Sequence, residues 1–157
     1  MKLVYTILAG LAGTAVMNLV LYLLTRVTNR VMQAPLILGT MLLGKTHPDG
    51  GISRSVSAKV VGTVAHYLVG ILYAIGYLAL WESGVGTVTL SWSLLMGFAN
   101  GIFAMIIWYF FFMIHPKPPL VELNKYLIAL IFGHIIFGLV LTYVFYQLSH
   151  LEYSFWQ

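Results

Sequence analysis

IIWYFFFMI, residues 106 to 114, is apolar on every face. A transmembrane β-strand alternates polarity over about ten residues, and a soluble surface helix keeps a polar stripe. A run with neither pattern reads as part of a helix surrounded by hydrocarbon. Followed outward, it lies in an apolar stretch from Ser91 to Met113, and three more such stretches run from Leu3 to Thr25, Lys59 to Trp81 and Tyr126 to Leu148. Each is close to the ~20 residues that a helix needs to cross a bilayer core.

Composition agrees with the run. Of 157 residues, 61% are hydrophobic and 8% are charged, with a mean hydropathy of +0.94; soluble domains carry roughly 25% charged residues. The chain reads as one all-α transmembrane domain, residues 1–157, folded as a polytopic four-helix bundle with the lipid bilayer as its first partner. Lys2 and the small residues LAGTA (11 to 15) imitate a signal peptide, but the apolar run continues to Leu24, so an uncleaved helix is expected. The absence of cysteine excludes disulfides and thiolate metal sites, and leaves histidine to hold any metal or haem.

Four spans sort the basic residues unevenly. Arg26, Arg30, Lys45, Arg54, Lys59, Lys117 and Lys125 fall on one side and Lys2 on the other. The positive-inside rule makes the 26–59 and 115–125 connections cytoplasmic and puts both termini outside. Anionic headgroups suffice to explain this bias, and no nucleic-acid motif accompanies it. The connections at 82–90 and 115–125 are short, which predicts antiparallel neighbours. The first connection is longer. Its apolar part, APLILGTMLLG (34 to 44), is too short to span and reads as an interfacial or re-entrant helix before the turn-rich KTHPDGGISRS (45 to 55).

Histidine appears twice in one setting, as AHYLVG (65 to 70) and GHIIFG (133 to 138). The pair His66/Gly70 recurs as His134/Gly138, and Gly10 and Ala12 align with Gly97 and Ala99. Two helix hairpins related by an axis along the membrane normal would produce this pattern. At four-residue spacing Gly62, His66 and Gly70 share a stripe, as do His134, Gly138 and Thr142, Gly10, Thr14 and Asn18, and the GxxxG pair Gly97 and Gly101. Small stripes are where membrane helices approach closely, so these glycines are the expected packing contacts and both histidines face protein.

His66, His134 and Asn18 lie at similar depth on the cytoplasmic side of their helix midpoints, with Trp108 level on the third span as a further hydrogen-bond donor. These four form the candidate buried polar site. No Asp or Glu lies inside a span, which leaves histidine as the pH-sensitive core group. Three readings stay open: neutral histidines that only pack and hydrogen-bond in a structural or accessory membrane subunit, a site that handles protons or a small polar solute, and a b-type haem held between His66 and His134. A second copy or another membrane protein is a candidate partner. A lipid-directed enzyme with a histidine base is a weaker fourth reading, because catalytic triads, phosphate loops and paired carboxylates are absent. His47 and Asp49 in HPDGG read as a solvated turn, and Trp81, Trp92 and Trp156 as interfacial anchors.

AHYLVGILYAIGY, the helix after LSWSLLMG, the segment HPKPPL and ALIFGHIIF together resemble the YagU-like small bacterial inner-membrane proteins, with His66, Tyr73, Gly76, Tyr77, Gly133 and His134 as the matching positions. The resemblance implies a multi-pass four-helix protein of the bacterial inner membrane and a link to acid tolerance. It supplies no substrate, cofactor or catalytic residue.

Overall fold

The structure, a computed structural model, describes residues 1–156. Among them are five helices and no strand: α1 (Lys2–Thr28), α2 (Ala34–Leu42), α3 (Val56–Glu82), α4 (Leu90–Ile114) and α5 (Leu123–Ser149). The four long helices are apolar enough to cross a membrane, and the protein is an all-α multi-pass membrane protein. Each span runs slightly beyond its apolar stretch because caps, not hydropathy, end it. Asn29 closes α1 in the left-handed region at φ 53°, the Ser55 hydroxyl accepts the Ala58 N–H at 3.3 Å to start α3, and Pro116 follows the end of α4.

Glycine sets the helix contacts. A Cβ on Gly10 would lie 2.7 Å from the Ala74 Cβ, and one on Gly70 would run into the Thr14 hydroxyl, so α1 and α3 pack almost backbone to backbone. In the same way a Cβ on Gly97 would stand 2.8 Å from the His134 carbonyl oxygen, and one on Gly138 would stand 2.9 Å from the Gly97 Cα, which closes α4 on α5. Gly13 meets Phe137, and Gly133 meets Met17, joining α1 to α5. The two hairpins α1/α3 and α4/α5 therefore close on the glycines that align in the sequence.

The order across the bundle is α3, α1, α5, α4. α3 and α4 lack the close packing expected of neighbours, and this corrects the inference from the short connection between them. Residues 83–89, if extended, reach roughly 23 Å at ~3.3 Å per residue, so the link does not force contact along the helices. A cleft lies between α3 and α4 instead.

α2 runs antiparallel to the first turns of α3. A Cβ on Gly39 would meet the Ala58 carbonyl, and one on Gly62 would meet the Pro35 carbonyl. Ala34, Ile37 and Thr40 are fully buried, so α2 is packed against protein along one side. At the same end His115 ties two connections together: its Nε2–H donates to the Met41 carbonyl at 2.9 Å, while its Nδ1 accepts the Lys117 N–H at 3.2 Å. Leu120 N–H donates to the Gly50 carbonyl at 2.9 Å.

Candidate functional site

His66 on α3 and His134 on α5 line one cavity of about 20 Å³, walled also by Thr14 and Met17 of α1, by Tyr73 of α3 and by Phe137. Space of that size admits about one water. His134 is buried, and its Nδ1 lies 2.8 Å from the Leu130 carbonyl oxygen. A carbonyl can only accept, so Nδ1 carries the hydrogen and Nε2 of the neutral ring is left as an acceptor. Tyr73 stands edge-on to the His134 ring at 5.8 Å between centroids and 73° between planes. His66 Nε2 is buried with no protein partner. Thr14 donates its hydroxyl hydrogen back to the Gly10 carbonyl at 2.8 Å, which leaves the polar group that α1 brings to the wall as an acceptor. No carboxylate lines this cavity.

The other two sequence candidates lie elsewhere. Asn18 lines a separate cavity of about 360 Å³ with Tyr22, Gln33, Lys59 and Tyr67, and its Oδ1 is buried without a partner. Trp108 packs edge-on to Tyr126 at 5.2 Å and against Phe111 and Phe112. On α4 it is Gly97 that sits beside His134. Tyr126 precedes His134 by eight residues, about 12 Å along α5 at ~1.5 Å per residue. The indole therefore lies well below the histidine layer.

The space between the two imidazoles, about 20 Å³, is far smaller than a haem macrocycle, so a haem there would need α3 and α5 further apart. Among the described residues, no three or more His, Asp or Glu side chains assemble as a metal site. Asp49 instead accepts the Gly51 N–H at 2.9 Å within its own turn.

Two of the larger openings lie outside the residues of the candidate polar site. The cleft between α3 and α4 encloses about 730 Å³ and is mostly apolar, but it also touches Tyr77 and Asn100, whose hydroxyl and Nδ2 are buried without partners. At the loop end, a cavity of about 490 Å³ gathers Arg26, Arg30, Arg54 and Lys59. The signal that finds the second is charge position: the first connection carries these cations and no acid other than Asp49.

Comparison of the chain with protein-family models, with curated proteins and with solved structures finds no match.

Proposed function

We propose that this is a proton-responsive protein of the bacterial inner membrane, with the basic end facing the cytoplasm and His66 and His134 acting together as the titrating element. One observation carries the reading: two histidines from different helices share a single water-sized cavity inside a membrane bundle. Ionisable groups in spans are rare and commonly functional. A cavity of about 20 Å³ admits a water or a proton and no larger solute, which narrows the ligand to the smallest candidates. This element suits a role in acid tolerance.

Tyr73 is the one other titratable group on the cavity wall, and α1 brings only Thr14 and Met17. Protonation of both imidazoles places two like charges in one dehydrated layer with no carboxylate to offset them. Stability therefore falls as pH falls. A second reading, in which the histidines only fix helix register, is favoured by the Leu130 hydrogen bond and the Tyr73 contact, which already seat His134. Against an accessory-subunit role, the small-residue stripes are consumed inside the bundle: Gly10, Gly62, Gly70, Gly97, Gly101 and Gly138 are all buried.

Thermal unfolding in lipid nanodiscs at neutral and mildly acidic pH separates the readings. The parent should lose stability on acidification, His66→Gln or His134→Gln should lose less, and the double variant should be nearly insensitive. A register role predicts instead a small loss, about 0.6 kcal/mol per hydrogen bond, that is the same at both pH values. A double variant with the parent's acid response would refute the proton reading.

A further inference from the structure

We infer that the loop end of the bundle holds a binding site for a phosphate-bearing ligand, formed where the ends of α1 and α3 meet the start of α2. Four cationic side chains, Arg26, Arg30, Arg54 and Lys59, line one cavity of about 490 Å³. Seven basic residues lie at this end of the molecule, and a general surface bias would scatter them around its rim. More than half converge on one hollow.

Their existing partners leave the hollow cationic. Glu122 is the acid within reach, and it pairs with Arg30 at 2.8 Å and with Lys125 at 2.7 Å. Arg26 donates from Nε to the Tyr22 hydroxyl at 2.8 Å, and its guanidinium lies 5.1 Å from the Tyr22 ring centroid, which orients the group without neutralising it. Arg54 and Lys59 form no ion pair among the described residues. Guanidinium forks match the paired oxygens of a phosphate, and ammonium adds a point charge.

The hollow does not end at the cations. Tyr22, Gln33, Leu36 and Lys59 are shared with the adjoining cavity of about 360 Å³, which continues between α1 and α3 to Tyr67 and to Asn18, whose Oδ1 is buried and unpartnered. The continuation is chiefly apolar and heads toward the bilayer interior. A phosphate alone would fill only the outer part. An anionic phospholipid would place its headgroup among the cations and its glycerol backbone and first acyl carbons along Leu36 and Tyr67, and that is the source the shape favours.

The test uses the full-length protein in neutral detergent, with phosphatidylglycerol, phosphatidylcholine or inorganic phosphate as probe, and with chloride at matched ionic strength as the baseline. Lipid retention is read by native mass spectrometry and stabilisation by thermal unfolding. Phosphatidylglycerol should be retained and stabilising where phosphatidylcholine is not. Arg54→Gln with Lys59→Gln should weaken that retention by about thirtyfold, while Lys45→Gln with Lys117→Gln, which removes equal charge at the same end outside the cavity, should leave it unchanged. If the first pair fails to fold, the single variants Arg54→Gln and Lys59→Gln should each give about a fivefold loss. Stabilisation by inorganic phosphate with the same dependence on Arg54 and Lys59 would uphold the site and assign a soluble phosphate as its ligand. Equal losses from both pairs, or no preference for phosphatidylglycerol over phosphatidylcholine together with no stabilisation by inorganic phosphate, would overturn the inference.

Discussion

At the scale of single residues, the glycines differ in what surrounds them, and the difference predicts opposite outcomes. Gly62 faces the Pro35 carbonyl so closely that an added methyl has no room, whereas Gly76 has nothing within 4 Å of the site where a Cβ would stand. Gly62→Ala should destabilise the protein by about 2 kcal/mol through forced separation of α2 from α3, and Gly76→Ala should stabilise it by about 0.5 to 1 kcal/mol through helix propensity. Unfolding in a titrated denaturing detergent would compare the two, and equal effects would mean that α2 is not seated on α3. The stripe that carries Gly10 and Thr14 also shows where residue spacing misleads. Four residues turn a helix by about 400°, a drift of ~40° per step, so two steps from Gly10 carry Asn18 onto a neighbouring face, toward Lys59 and Tyr67 and away from the histidine cavity. Trp108 fails for a different reason. The middle of its own span gives no common level, because α4 is set against α5 by Gly97 and Gly101, and that contact fixes the offset between the two helices.

The elements were legible to the extent that the bilayer dictates them. A crossing helix must be long and apolar whatever it packs against, so the four spans and the shorter α2 stand out in the chain from hydropathy alone. Pairing within the hairpins was legible too, since Gly10, Gly70, Gly97 and Gly138 mark close approach. The separation of α3 from α4 was not. A connection limits how far apart two helix ends lie and says nothing about the space between their lengths, and the residues that line the cleft, such as Leu72, Met96 and Phe103, are equally at home against lipid. The burial of α2 was half visible: its length ruled out a span, but its match to α3 depends on Gly39 and Gly62 meeting across a loop, which no local pattern records.

A two-fold repeat of the hairpins would predict one more tight helix contact than the whole molecule has. Under an axis relating α1 to α4 and α3 to α5, the tight α1/α5 contact through Gly13 and Gly133 would have a counterpart between α4 and α3. The cleft of about 730 Å³ occupies that place. That opening lies on the side away from α1, while the histidines sit between α1, α3 and α5, His134 buried and His66 half-buried. Charge makes a prediction about orientation at this scale. A cysteine at His47, which is exposed, should be labelled only from the cytoplasmic side, and one at Ser154, also exposed, only from the outside. Labelling of His47→Cys by a membrane-impermeant reagent in intact cells would reverse the orientation and bring the basic cavity to the outer face.

The shared histidine cavity is tested most directly by histidine-selective ¹⁵N NMR of the protein in bilayers across a pH series, with resonances assigned through single His→Gln variants. Because the two rings border a space of about one water, they should titrate as a coupled pair, with the proton of neutral His134 on Nδ1 as its bond to the Leu130 carbonyl requires. His66→Gln should then visibly shift the titration curve of His134. A His134 curve that is the same with and without the His66 imidazole, or a neutral His134 protonated on Nε2, would contradict the arrangement on which the proton-responsive reading rests.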